Sequence, residues 1–283
     1  YARAIKDSLD ALKLVNGQTI LIENKVGAGG ALAMQQLKAN AGHGNYLGTF
    51  HTGAIAGAVT GLIKADPRDF TPVAMMVEET SLVAVRADSP WKTGTDLVNA
   101  LKADPTKARI AVAPALGQNT HMAIAKPLKQ AGVAIDKLTI APFRSSGESV
   151  TALIGGHVDV VSATAPTILP QVAAGKLRIL ASAAPEPGTG PLAGVKTWRE
   201  QGVAADYVSY NGVMLPPGVN AEQIRFWEDA LRKVSQDKQW LALVEKSGNK
   251  PIFRSYVESH RYLMTEWKAA TELAAQLGLG AAR

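Results

Sequence analysis

The chain has 283 residues, 47% of them apolar and 19% charged, enough for one large core or two medium ones and too apolar for disorder. The formal charge is +6, but Lys and Arg are scattered without a run of four, which argues against a nucleic-acid-binding stripe. With no cysteine, disulfides, thiolate catalysis and Cys-bound metal are excluded, and no apolar stretch approaches the roughly 18 residues of a membrane span.

Tyr1 to Leu14 reads as an amphipathic helix entered without a cap, so the natural protein is expected to begin upstream. Gln18–Glu23 has a buried-strand pattern, Gly27-Ala28-Gly29-Gly30 a tight turn, and 31–39 a helix. A strand over 46–50 ends in His51-Thr52-Gly53-Ala54 and a helical stretch to Ile63. Strands follow at 72–77 and 82–85, then a helix over 95–103 with Thr95 as its cap. A strand at 109–113 leads through Ala115-Leu116-Gly117-Gln118-Asn119-Thr120-His121 into a helix reaching Ala131. Beyond a strand at 138–143, Ser145-Ser146-Gly147 reads as a capped turn into a helix closed by Gly155-Gly156. A strand over 158–161, a turn at Ser162-Ala163-Thr164, a helix over 166–174 and a strand over 177–181 come next. After a Pro/Gly-rich loop, a return strand spans 207–215, and two amphipathic helices finish the chain. Their aromatic residues, Trp227 and Trp267 among them, are read as core.

Repeated strand, turn and helix predicts an α/β protein with mostly parallel sheets. The expected organisation is two lobes: residues 1–83 with 208–283, and residues 84–207. Two crossings would form a hinge, with a ligand held between the lobes.

The chemistry-bearing motifs are sparse. The glycine cluster lacks the third glycine of a dinucleotide fingerprint, since Leu32 stands there, and no phosphate-loop Gly-Lys-Ser/Thr exists. The five histidines form no metal-ligand spacing, and Gly-x-Ser-x-Gly is missing, so neither metal, cofactor nor catalytic residues are expected. His121 is open to two readings, lining a cleft or packing on its turn. Asp159 is read as bonding nearby backbone. What remains is two strand-to-helix junctions, at 51–54 and 115–121, where helix starts leave N–H groups facing a ligand. Such sites suit a protein that holds a small acid without changing it.

Four segments resemble a known family. Glu23-Asn24-Lys25-Val26-Gly27-Ala28-Gly29-Gly30 and Asp69-Phe70-Thr71-Pro72-Val73-Ala74 are similar to first-domain signatures of the tripartite tricarboxylate transporter receptors, also called Bug proteins. Gly155-Gly156-His157-Val158-Asp159-Val160 and Ala174-Gly175-Lys176-Leu177-Arg178-Ile179-Leu180-Ala181 are similar to its second-domain signatures. The resemblance implies a periplasmic binding protein of the type II kind, two α/β lobes, exported by a signal peptide that is later removed. It implies a monomer that captures a small di-, tri- or aromatic carboxylate and hands it to a membrane transporter or sensor, with no nucleic acid involved. By position it implies ligand contacts at His51, Thr52, Gly53 and Ala54, at Gln118, Asn119 and Thr120, and at Ser162, Ala163 and Thr164. Ala163 stands where an acidic residue is common in the family, which counts against an amino-bearing ligand. Arg144, where a Lys is usual, either pairs with a second carboxylate or is a solvated turn residue. The family's opening strand and Pro/Gly-rich loop are expected to precede Tyr1. The competing expectation is the effector-binding domain of a transcription regulator with the same two-lobe fold.

Overall fold

A computed structural model describes residues 1–25 and 30–276. The glycine turn expected at 27–30 lies, Gly30 apart, outside the described residues; Gly30 itself caps a helix at φ +100°, a conformation suited to glycine. In chain order the elements are α1 (Ala2–Ala11), α2 (Ala31–Lys38), β1 (Gly48–His51), α3 (Gly53–Val59), β2 (Thr71–Glu79), β3 (Ser81–Arg86), α4 (Gly94–Ala103) and β4 (Arg109–Val112). Then come α5 (Asn119–Gln130), β5 (Thr139–Pro142), α6 (Ser146–Ile154), β6 (Val160–Thr164), α7 (Ala165–Ala173) and β7 (Leu177–Ser182). The chain ends with β8 (Ser209–Leu215), α8 (Ala221–Val234), α9 (Lys238–Lys246), β9 (Lys250–Arg254) and α10 (Tyr256–Gln276).

These elements form two compact units. The first contains Tyr1–Glu78, Tyr210–Glu245 and the described part of Lys250–Arg283; the second contains Glu79–Ser209 and the short tip Lys246–Asn249. The tip adds a second excursion to the expected pair of crossings. Two contacts seat it in the second unit: the Thr80 N–H donates to Asn249 Oδ1 at 3.1 Å, and Gly248 lies so close to Leu169 that a Cβ would meet its methyl at 2.6 Å.

The first unit carries a sheet in the order β1-β8-β2-β9, with β1 antiparallel to β8 and β2 antiparallel to β9. The expectation of a mostly parallel sheet does not hold in these pairs, because neither strand pair is joined by a single crossover helix. The middle of β2, Pro72 to Val77, is apolar and buried because both its faces are covered: Met75 and Met76 point opposite ways, and each is at most 1% exposed. Ile5 and Leu9 of α1, Trp227 and Leu231 of α8, and Trp240 of α9 pack against Val73, Val77, Val213 and Leu215. Each large side chain so buried contributes about 1.5–3 kcal/mol of transfer free energy. Ile55 of α3 sits against Leu263 and Ala270 of α10 in a smaller cluster.

The second unit has five strands in the order β5-β4-β6-β3-β7. β4 is parallel to β5 and β6, while β3 is antiparallel to both β6 and β7. Four strands therefore share one direction, each reached through a helix, and β3 alone opposes them. It follows β2 after one residue, Thr80, with no helix to reverse the chain. Leu82, Ala111, Leu153, Val161, Ala163 and Ile168 form the core beneath α6 and α7.

Local chemistry places several helix starts. Ser145 accepts the Glu148 N–H, as the capped turn predicts, and Asn220 with Gln223 closes a reciprocal box on α8. The cap of α4 is Thr93 rather than the expected Thr95: Thr93 and Asp96 each bond the other's backbone N–H, a pairing that needs the three-residue spacing. Gln18–Glu23 is not a strand but irregular chain, with Leu21 81% exposed. The expected turn at Ser162–Thr164 is instead the end of β6, and α9 and β9 are elements that the sequence reading lacks.

Candidate functional site

The strongest candidate lies in the second unit, where β4 runs into α5. The chain leaves β4 through a cis Ala113–Pro114 bond, turns at Gly117 with φ +78°, and enters α5 with Gln118 as the residue before its first turn. One side chain holds this junction. The Thr120 hydroxyl accepts the Ala113 N–H at 2.8 Å and donates to the Ala113 carbonyl at 2.6 Å. From β6, the Ser162 hydroxyl donates to the Thr120 carbonyl at 2.7 Å. Both hydroxyls, expected as ligand contacts, are thus committed to the scaffold.

His121 resolves toward packing on its own turn. The Gly117 N–H donates to Nδ1 at 2.8 Å, which leaves the proton of the neutral ring on Nε2. Burial pushes its pKa down to about 4, so the ring is uncharged at neutral pH.

The ligand-facing capacity of the junction lies elsewhere. A helix start leaves its first N–H groups without intrahelical carbonyls, here those of Asn119, Thr120 and His121. Gln118 makes no side-chain capping bond. Gln118 is 1% exposed and Asn119 4%, yet Gln118 Nε2 and Asn119 Oδ1 have no hydrogen-bond partner. Two enclosed amide ends without partners, beside free backbone donors and the positive end of a helix dipole, form a ready cradle for a polar, anionic group.

In the first unit, β1 brings His51 opposite Asn211 of β8. The Thr52 hydroxyl accepts the Tyr210 N–H at 2.9 Å, and the Thr52 N–H returns a bond to the Tyr210 carbonyl. Gly53 and Ala54 are buried in the first turn of α3. A cavity of about 150 Å³ adjoins this turn, lined by residues including Tyr1, Phe50, His51, Asn211 and Trp240. His51 Nδ1, Asn211 Nδ2 and Trp240 Nε1 are enclosed and unpartnered. Desolvation lowers the His51 pKa and keeps that ring neutral too. Asn211 is absent from the sequence reading, although an amide in the middle of an apolar strand was a signal for it.

The remaining expected contacts fall apart from these clusters of free polar atoms. Ala163 is fully buried, paired across the sheet with Leu82, because it faces the core of β6. Thr164 shares a hydrogen bond with the Thr167 hydroxyl at the start of α7. The Arg144 side chain is 93% exposed and stands 3.7 Å from Glu148. Asp159 accepts the Arg109 N–H at 2.8 Å, a backbone role. Among the described residues, no three His, Asp or Glu side chains come together in a group that could hold a metal ion.

Comparisons with known proteins identify the family and the fold. Residues 2–279 match the tripartite tricarboxylate transporter family receptor. A UPF0065 protein encoded in the gbd 5' region of Cupriavidus necator is 26% identical over 275 residues, covering 97% of this chain and 82% of the relative. MatC of Rhodopseudomonas palustris, solved with bound malate, is 24% identical with a TM-score of 0.80, over 96% of this chain and 92% of that one. A second R. palustris protein, solved with adipate, is also 24% identical, with a TM-score of 0.82 over 99% and 92%. At that identity the two structures establish a shared fold. The match over nearly the whole length decides the family: this chain belongs to the tripartite tricarboxylate transporter receptors.

Proposed function

We propose that this protein is a periplasmic solute-binding receptor that captures a small organic carboxylate, leaves it chemically unchanged and delivers it to a membrane transporter or sensor. It acts as a monomer. The observation that carries this reading is the start of α5, which has free backbone N–H groups and, at Gln118 and Asn119, enclosed amide atoms without partners. The hydroxyls of Thr120 and Ser162, the nearest candidates for a nucleophile, are each held by backbone. A carboxylate docked there gains charge-assisted hydrogen bonds from backbone donors. His51 to Ala54 is the proposed contact segment of the first unit. Family membership supports the receptor role, and the malate and adipate held by two proteins of the same fold support the acid class.

The test is a thermal-shift and calorimetric screen of protein unfolded, stripped of copurified ligand and refolded. Malate, succinate, adipate and aromatic acids are the probes. A bound acid at 100 times its Kd stabilises the folded state by about 2.7 kcal/mol, a melting shift of roughly 4–5 °C. NMR of the same mixture should return the acid unaltered. Absence of any shift or heat with every acid overturns the reading.

A further inference from the structure

The cavity beside β1 is lined wholly by residues of the first unit and has room for one aromatic ring. At about 150 Å³ it equals an apolar cavity that takes up benzene. Its body is apolar: the buried side chains of Ile5, Phe50, Met76 and Val77 line it together with Trp240. Its edge is polar. His51 and Asn211 are directly opposed in the β1–β8 register, so their side chains leave the sheet on one face, and both line the cavity. Each has an enclosed atom without a partner, and Trp240, 1% exposed, adds an unpartnered Nε1. The indole N–H is a donor and nothing else. An amide end or a neutral imidazole nitrogen is a donor in one assignment and an acceptor in the other. A hydroxyl, which both donates and accepts, suits either assignment and also takes the indole N–H. No charged side chain lines the cavity among the described residues, and His51 is neutral, so an ion there would be stripped of water without a counter-charge. Water alone meets the polar edge but gains nothing from the apolar body.

We propose that this cavity is a binding site in its own right, which takes an uncharged phenol. The ring fills the apolar body. The hydroxyl oxygen accepts from Trp240 Nε1, and its proton is donated to His51 or Asn211. The inference goes beyond the receptor reading: its ligand is neutral, it uses none of the groups at the α5 start, and it shares only His51 with the proposed acid contacts. Sites built to bond a hydroxyl reject the analogue lacking it more strongly than apolar pockets reject an added one, so toluene, which is phenol with a methyl in place of the hydroxyl, should be the poorer ligand.

Calorimetry on the full-length, ligand-stripped protein compares the two. Phenol is expected to have a Kd lower by about tenfold or more. In NMR, phenol should move the Trp240 indole N–H resonance, which is identified by its loss in Trp240→Phe. That variant keeps a ring and removes the donor, so it should bring the two Kd values together by weakening phenol. Ala2→Leu is the second variant if the first fails to fold: Ala2 lines the cavity at the start of α1 and is only half-buried, and a larger side chain there takes the space of the ring, so both ligands should lose binding. Phenol bound no more tightly than toluene, or not at all, overturns the proposal. So does phenol binding that is unchanged in a folded Trp240→Phe or Ala2→Leu protein. If organic acids bind and phenol does not, the receptor reading stands and this one falls; if phenol binds as expected and every acid fails, the reverse holds.

Discussion

Thr120 shows how one hydroxyl can hold a whole junction. Its Oγ1 serves both the N–H and the carbonyl of Ala113, two backbone groups at the end of a buried strand. Thr120→Val keeps the shape and orphans both, so urea unfolding should show a loss of about 2–3 kcal/mol. His121 makes a pH prediction. Burial holds its pKa at about 4 in the folded chain, against about 6.5 unfolded. The unfolded state binds the extra proton first, so stability is full above pH 6.5 and falls as pH drops toward 4. The loss at this residue approaches about 3 kcal/mol by the lower limit. Protonation at Nδ1 would also break its bond from the Gly117 N–H. Denaturation between pH 7 and 4 should show a shallower slope in His121→Asn than in the unmodified protein. At this scale the Ser145 cap was legible because a cap involves neighbours three residues apart. The partners of Thr120 and Ser162 were not, since Ser162 reaches the Thr120 carbonyl from 42 residues away.

Among the elements, periodicity located most helices and strands but not their pairing. Gln18–Glu23 carries the apolar run Ile20-Leu21-Ile22 of a short buried strand and remains irregular, since a strand requires a partner as well as a pattern. Leu21→Ser, at an 81% exposed position, should change stability by less than about 0.5 kcal/mol. Gly212 is the opposite case. It lies in β8, where a Cβ would collide with the Ala74 carbonyl of the neighbouring strand β2 and stand 3.0 Å from the Phe50 ring. Gly212→Ala should therefore cost about 1–3 kcal/mol or more in the same unfolding assay. The nine-residue α9 and five-residue β9 escaped notice, and for β9 the reason is its proline, which argues against a strand away from a sheet edge. β9 indeed lies at the end of its sheet.

For the whole molecule, charge and connectivity matter more than any single contact. A formal +6 spread over the surface attracts anions weakly and from a distance. The association rate of an anionic ligand, followed by tryptophan fluorescence in stopped flow, should fall a few-fold between about 0.01 and 0.15 M salt. The dissociation rate should change little, because short hydrogen bonds at a buried helix start are poorly screened. The chain leaves the first unit after Glu78 and returns to it at Tyr210. The short tip at Lys246–Asn249 could not be anticipated, since its place in the second unit depends on Asn249 meeting Thr80 and Gly248 fitting against Leu169.

The amino-acid sequence by itself determined the α/β class, several helix starts and, through its four signature segments, the receptor family; all of these depend on periodicity, spacing and neighbouring residues. Tertiary structure alone decided which polar groups are spent and which are free. Thr120, Ser162 and Asp159 are bound to backbone, Arg144 lies in solvent, and Gln118, Asn119, His51 and Asn211 keep enclosed atoms without partners. The physical reason is saturation: a hydroxyl or amide is available to a ligand only when no backbone group has reached it first, and that depends on which distant strands and helices the fold brings beside it.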